Sequence, residues 1–161
     1  MTSTLDRLRA VLLEKKLTLV TAESCTGGLI GHWLTEAAGS SAYFLGGFLA
    51  YSNEVKMQYL QVPLDVIEQH GAVSGPSARA MAEGARTTLA ADLAVSVTGI
   101  AGPGGGTPEK PCGLVYCAVS GARGTIVSRN VWTGNRSENK QESASEALRL
   151  LLSYLQDDSD I

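Results

Sequence analysis

The sequence contains few of the residues that staple small proteins through disulfides or metal ions. Its 161 residues include three cysteines and two histidines. The cysteines, Cys25, Cys112 and Cys117, are odd in number and show no Cys-x-x-Cys spacing, which argues against a disulfide framework and against a zinc site. We therefore expect reduced thiols, as in proteins of the cytoplasm.

The sequence also lacks any concentration of positive charge and any long apolar run. Its 13 basic residues are scattered and the net charge is −3, whereas nucleic-acid binding usually leaves a cluster of Lys and Arg. No apolar stretch approaches the roughly 20 residues of a membrane-spanning helix. Residues 1–7 begin an amphipathic helix rather than a signal peptide. We expect a cytoplasmic protein with neither a nucleic-acid nor a membrane partner.

What the sequence does contain is a globular balance of residues in alternating strands and helices. Hydrophobic residues make up 44% and charged residues 18%, and the length fits one domain over residues 1–161. Short apolar runs predict five strands, at residues 17–20, 43–51, 93–97, 113–120 and 125–132. Helical periodicity fills most of the intervening segments. This order predicts an α/β fold, a three-layer α/β/α sandwich on a mixed sheet of about five strands.

Local signals place several details of these elements. Ser3 and Asp6 predict a cap for a first helix that ends near Lys16. The pair Gly46-Gly47 interrupts the second strand and predicts a bulge or a close approach of backbones. An alanine-rich helix begins at residues 74–76, and its predicted apolar face consists of Met81, Ala85 and Leu89.

The stretch Thr21–Gly28 offers two candidate nucleophiles at the end of a strand. It joins the predicted strand 17–20 to a helix that begins near Leu29, and it contains Ser24 and Cys25. The first amides of a helix are unpaired and lie at the positive end of its dipole, so they can hold a developing oxyanion. The same residues also suit a plain helix cap followed by a glycine turn. The stretch alone leaves both interpretations open.

A second unusual loop, rich in glycine, follows the predicted strand 93–97. Consecutive glycines allow backbone N–H groups to converge on an anion, and Lys110 adds a positive charge nearby. The loop fits neither the Walker A pattern nor the dinucleotide pattern Gly-x-Gly-x-x-Gly. Residues 99–111 therefore predict either a phosphate-binding loop or a flexible surface loop. Ligands of such sheets bind outside the carboxyl ends of the parallel strands, where both loops lie.

The stretch Tyr51–Lys56 places a lysine one helical turn beyond a strand-end tyrosine. Lysine usually lies on a solvated helix face. If burial lowers its pKa from about 10.4, however, it can activate a serine hydroxyl in place of histidine. His32 and His70 are more typical of packing or capping positions. Lys56 is therefore the better candidate base.

Six stretches, spread over nearly the whole sequence, carry recognisable motifs. They are residues 21–28, 39–42, 51–56, 69–74, 98–103 and 109–113. In residues and in order they resemble the carboxy-terminal domain of the CinA family, whose characterised members are nicotinamide-nucleotide amidases. The resemblance implies hydrolysis of the carboxamide of nicotinamide mononucleotide to nicotinate mononucleotide and ammonia, without a metal or another cofactor.

Transferred residue by residue, the resemblance implies a nucleophile, a base and a substrate site. Ser24 would be the nucleophile, Lys56 its base and Tyr51 an auxiliary hydroxyl. The oxyanion would be received by the backbone amides of Thr26, Gly27 and Gly28. The rest of the nucleotide, above all its phosphate, would lie against Gly99, Gly102, Gly104, Gly105, Lys110 and Arg136.

The sequence departs from the family pattern near its last helix. The family often has Gly-Asp-Arg and a further arginine where this chain has Gly134-Asn135-Arg136 and Lys140. Lysine supplies a point charge where arginine binds bidentately. Two alternatives stay open: a nucleotide-binding or regulatory paralogue without turnover, and an amidase of another carboxamide. The resemblance also implies a homo-oligomer, expected to be a dimer. Larger family members carry a separate amino-terminal domain, and residues 1–161 are not expected to supply the activity of that domain.

Overall fold

A computed structural model describes residues 3–157 of the chain as five strands and six α-helices. The remaining residues of the expected domain, 1, 2 and 158–161, lie outside the described residues. The strands are β1 (Leu19–Glu23), β2 (Phe44–Leu49), β3 (Leu93–Gly99), β4 (Leu114–Gly121) and β5 (Gly124–Val131). The helices are α1 (Thr4–Lys15), α2 (Leu29–Thr35), α3 (Asn53–Leu60), α4 (Leu64–His70), α5 (Gly75–Thr88) and α6 (Arg136–Gln156), with a short 3-10 helix at Ser40–Ala42.

The strands form one mixed sheet in the order β2-β1-β3-β4-β5, which confirms the predicted α/β/α sandwich. Strands β2, β1 and β3 are parallel, and β4 and β5 are antiparallel to their neighbours. Alternate side chains of the sheet supply two cores. One packs against α1, α2 and α6, and the other packs chiefly against α3 and α5. Among the described residues, no helix has the length and apolarity that crossing a bilayer requires.

Most of the predicted boundaries are confirmed. Ser3 and Asp6 form a capping box at the start of α1. Next to Gly46, the pairing of β1 with β2 shifts by one residue, and a Cβ at Gly47 would collide with the side chain of Thr21. Both a bulge and a close backbone approach therefore occur at this glycine pair.

Two details of the sequence analysis were wrong. Residues 21–23 belong to β1 and not to the following loop, because β1 pairs with β2 on one side and β3 on the other through Glu23. The polar side chain of Glu23 is compatible with a central strand because it is buried with hydrogen-bond partners. The second error concerns Leu89, which is 36% exposed and follows α5 instead of lying on its buried face.

Candidate active site

The carboxyl ends of β1, β2 and β3 surround a cavity of about 280 Å³. Ser24 follows β1 directly, and its amide donates to the carbonyl of Val97, so it extends the pairing of β1 with β3. Lys56 enters the cavity from α3, and the glycine-rich loop after β3 forms the opposite wall. The two loops singled out in the sequence therefore meet at one site.

Ser24 and Lys56 are in direct contact. The Lys56 Nζ donates hydrogen bonds to Ser24 Oγ at 3.2 Å and to the backbone carbonyl of Tyr51 at 3.0 Å. The α3 helix fixes the lysine, since Ser52 caps that helix by accepting from the amide of Val55. The predicted nucleophile and its predicted base thus lie within hydrogen-bond reach of each other.

The environment of Lys56 favours the neutral amine. The residue is 1% exposed, and burial lowers its pKa from the ordinary value of 10.5, although the negative charge of Glu54 acts in the opposite direction. No salt bridge among residues 3–157 involves Lys56. A buried ammonium without a carboxylate partner releases its proton more readily than an exposed one, as a general base requires.

Cys25, the other candidate nucleophile, has the opposite environment. Its side chain is 6% exposed, and burial raises the pKa of the thiol to about 11. A thiol with that pKa is almost entirely protonated at neutral pH, and the protonated form is a poor nucleophile. The structure therefore favours Ser24 over Cys25 as the attacking group.

The expected oxyanion donors need a correction. The amide of Gly27 donates to the carbonyl of Ser24, and the amide of Gly28 donates to the carboxylate of Glu23. Neither amide is free to receive a substrate oxyanion. The amides of Cys25 and Thr26 donate no hydrogen bond to another residue within the described chain. Of the three predicted donors, only the amide of Thr26 thus stays available. The amide of Cys25, the residue after Ser24, is a second available donor.

Tyr51 contributes to the site chiefly through its backbone. The carbonyl accepts from Lys56, whereas the side chain is 67% exposed at the edge of the cavity. The position fits a contact with bound substrate better than a contact with Ser24. An auxiliary role of the Tyr51 hydroxyl stays a prediction.

The glycine-rich loop lines the cavity as expected, but Lys110 does not. Four glycines line the cavity, namely Gly99 at the end of β3 and Gly102, Gly104 and Gly105 in the loop. Within the described chain, the amides of Gly104 and Gly105 donate no hydrogen bond. Lys110 instead points to the carbonyl of His70 at the end of α4, outside the cavity lining. Backbone amides, and not this lysine, are therefore what the loop presents to a ligand.

Arg136 connects this cavity to a larger one beside it. Its Nη1 donates to the carbonyl of Gly102 at 2.7 Å, and the residue lines both cavities. The larger cavity, of about 600 Å³, is also lined by Lys140 and the start of α2. The larger cavity is not the one that contains the candidate catalytic residues, because Ser24 and Lys56 line only the smaller cavity.

The departure at Asn135 has a structural explanation. Asn135 is the N-cap of α6, where its side chain accepts from the amide of Glu138 and its own amide donates to the Glu138 carboxylate. Aspartate and asparagine are about equally good N-caps. The replacement of aspartate therefore leaves the neighbouring Arg136 in place.

Sequence reasoning missed three residues that shape the site. Asn53 lines the cavity, and the buried Asn139 donates to the carbonyl of Ala101 in the glycine-rich loop. Glu23 is buried beneath the loop that carries Ser24. Asn53 and Glu23 fall within motifs already noted, but Asn139 carries no sequence signal that distinguishes it from a surface residue of a helix.

Within the described part of the chain, no three His, Cys, Asp or Glu side chains lie close enough together to hold a metal ion. The groups that the site does bring together are Ser24, Lys56 and backbone amides. This set suits attack of a hydroxyl on a carbonyl group.

Comparison with known proteins agrees with the motifs. Residues 2–155 match the family model described as the CinA C-terminal domain. A CinA-like protein of Citrifermentans bemidjiense is 53% identical over 150 residues, which are 93% of this chain and 36% of that protein. The CinA-like protein of Mycobacterium sp. strain JLS is 51% identical over 87% of this chain and 34% of its own length. The chain thus spans about a third of these relatives.

Solved structures show the same fold over nearly the full length of both chains. A CinA superfamily protein from Klebsiella pneumoniae superposes with a TM-score of 0.92, at 30% identity over 96% of each chain. The competence/damage inducible protein from Agrobacterium tumefaciens gives a TM-score of 0.89, at 40% identity over 95% of each chain.

We expect Ser24→Ala to abolish hydrolysis of nicotinamide mononucleotide, the substrate that the resemblance implies, while Cys25→Ala keeps most of it. Removing a nucleophile that works with a base costs up to about 10⁶-fold in turnover. Ammonia release by the two purified variants measures both effects. An inactive Cys25→Ala together with an active Ser24→Ala would show that the thiol attacks.

We expect the activity to rise with pH as Lys56 loses its proton. Because burial lowers the pKa of Lys56, the midpoint of this rise in kcat/KM should lie below 10.5. Lys56→Arg should lose about 10²–10⁴-fold, since guanidinium stays protonated and cannot act as a base. A pH profile of wild type and variant checks both points. A Lys56→Arg enzyme that keeps the wild-type rate and pH profile would exclude the role.

Proposed function

This chain belongs to the family of the CinA C-terminal domain, and from that membership we propose that it is a nicotinamide-nucleotide amidase that uses Ser24 and Lys56. The observation that carries the proposal is the 3.2 Å contact between the buried Lys56 amine and Ser24 Oγ inside a cavity. Serine–lysine pairs of this kind activate a hydroxyl toward acyl carbons.

The first half-reaction transfers the acyl group to the enzyme. Ser24 Oγ attacks the carboxamide carbon, and Lys56 takes the hydroxyl proton. The positively charged pyridinium ring withdraws electrons from this carbon. The amides of Cys25 and Thr26 receive the oxyanion, because they are the unengaged amides next to the nucleophile. When the C–N bond breaks, Lys56 returns its proton to the departing nitrogen, which leaves as ammonia.

The second half-reaction returns the free enzyme. Water attacks the ester on Ser24 while Lys56 accepts a proton from that water. Collapse of the tetrahedral intermediate breaks the ester C–O bond and releases nicotinate mononucleotide, and Ser24 regains its proton from Lys56. The same lysine therefore serves as base and acid in turn.

Arg136 and the glycine-rich loop are the proposed site of the substrate's phosphate. Arg136 lies between the smaller cavity and the larger one, and Gly104 and Gly105 present free amides nearby. A guanidinium and backbone N–H groups together are well suited to phosphate oxygens. Lys140, in the wall of the larger cavity, adds positive charge on the far side of Arg136.

Incubation of the purified chain with nicotinamide mononucleotide should release equal amounts of ammonia and nicotinate mononucleotide. Ammonia from another carboxamide, but none from this nucleotide, would identify an amidase of different specificity. Binding of the nucleotide without ammonia release, also at alkaline pH, would identify a non-catalytic paralogue. Ser24→Ala is the control for a contaminating amidase.

The phosphate assignment predicts a specific interaction between substrate and variant. Arg136→Ala should lower kcat/KM for the mononucleotide about tenfold or more, since a hydrogen bond to a charged group contributes about 1.5–3 kcal/mol. Nicotinamide riboside, which lacks the phosphate, should be a poor substrate whose residual rate barely changes in the variant. Lys110→Ala is the matched control, because this cation lies outside the cavity lining.

Equal fractional losses on both substrates in Arg136→Ala would mean that Arg136 acts through its hydrogen bond to Gly102 and not through phosphate. A selective loss in Lys110→Ala would place the phosphate near α4 instead.

A further inference from the structure

Glu23 is a buried carboxylate without a role in the chemistry described so far. It is the last residue of β1 and directly precedes Ser24, yet its side chain is absent from the cavity lining. The residue is 1% exposed, and no salt bridge among residues 3–157 involves it. A buried carboxylate is stable in such a place only when hydrogen bonds replace its hydration.

Four hydrogen bonds surround the Glu23 carboxylate. Oε2 accepts from Thr26 Oγ1 at 2.7 Å and from the amides of Gly28 and Ile30, both at 3.1 Å. Oε1 accepts from the amide of Gly31 at 2.9 Å. The number of donors thus equals the roughly four acceptor sites of a carboxylate.

These partners show that Glu23 replaces the missing cap of α2. The N-cap residue Gly28 has a φ of 97° and no side chain that can cap the helix. A capping side chain normally accepts from the second or third amide of a helix, and here Glu23 accepts from those of Ile30 and Gly31. Its negative charge also lies at the positive end of the helix dipole. A side chain at the end of β1 therefore caps α2, the helix that follows the Ser24 loop.

The loop between these two anchors carries the nucleophile. Successive side chains of a strand point to opposite faces of the sheet. Glu23 accordingly contacts α2 on one face, and Ser24 Oγ contacts Lys56 of α3 on the other. The hydrogen bonds that Glu23 accepts from the Thr26 hydroxyl and the Gly28 amide limit the conformational freedom of residues 24–28.

We propose that Glu23 is the positioning residue of the nucleophile loop: its carboxylate holds Ser24 against Lys56 and leaves the amides of Cys25 and Thr26 free for the oxyanion. The consequence for function rests on the proposed amidase activity, but the effect on Ser24 itself does not. Glutamine cannot replace the carboxylate fully, since its NH₂ group would face N–H or O–H donors.

The test measures the reactivity of Ser24 directly as well as turnover. An alkyl fluorophosphonate reacts with an activated serine: the serine oxygen bonds to phosphorus, fluoride leaves, and the hydroxyl proton passes to the base. Glu23→Gln should slow this labelling and lower kcat by about 10²-fold, the scale expected for a misplacement of about 1 Å. KM should stay near its wild-type value, because Glu23 does not line the cavity.

Asp92→Asn is the matched control. Asp92 precedes β3, at the end of the sheet opposite the site, and its carboxylate accepts from the amide and hydroxyl of Thr18, both at 2.7 Å. Asp92→Asn makes the same chemical change as Glu23→Gln, a carboxylate to an amide, at an exposed position, and it should leave Ser24 labelling unchanged. A purely structural role of Glu23 would instead give a smaller folded fraction that labels at the wild-type rate.

If Glu23→Gln does not fold, two less disruptive substitutions of Thr26 provide the test. Thr26→Val removes the hydroxyl that binds Glu23, whereas Thr26→Ser keeps it. Slower labelling of the valine variant than of the serine variant supports the proposal. Equal rates, or a wild-type labelling rate in a folded Glu23→Gln, overturn it. Labelling of Ser24 without ammonia release from nicotinamide mononucleotide would refute the amidase activity while still testing Glu23.

Discussion

The burial of one amine, which forms no salt bridge within residues 3–157, is the constraint on which the site depends. Desolvation of Lys56 lowers its pKa, and the two acceptors in reach of its Nζ are neutral oxygens, Ser24 Oγ and the Tyr51 carbonyl. A carboxylate in their place would stabilise the ammonium and remove the base. Lys56 stays buried because it belongs to α3, a helix that Ser52 caps and that places the lysine next to the carboxyl end of β1.

A second buried ionisable group, Glu23, lies on the other face of the sheet, and unlike Lys56 it is surrounded by hydrogen-bond donors. The Glu23 carboxylate receives four hydrogen bonds, whereas burial lowers the pKa of Lys56. The alternation of β1 separates the two groups, so Glu23 forms no salt bridge with Lys56. Ser24 lies between them in sequence, and this separation allows one strand end to carry both a fixed anion and a reactive base.

The parts of this arrangement that depend on local patterns could be predicted from the sequence. Periodicity and turn residues gave the five strands, the capping box at Ser3 and the bulge beside Gly46. The pairing of Ser24 with Lys56 rested on family resemblance, since a separation of 32 residues in the sequence gives no distance between them. The position of Lys110 could not be predicted for a related reason: the path of a glycine-rich loop is set by tertiary contacts, and this loop carries the lysine to α4.

The two departures from the family pattern have different physical weight. Asn135 makes the capping interactions that aspartate would make, so its effect is confined to one charge at the start of α6. Lys140 lies in the wall of the larger cavity and exchanges a planar, bidentate group for a single ammonium. Neither residue lines the cavity that contains Ser24 and Lys56. The departures therefore bear on how the far end of the proposed substrate is held, and not on the residues of the proposed acyl transfer.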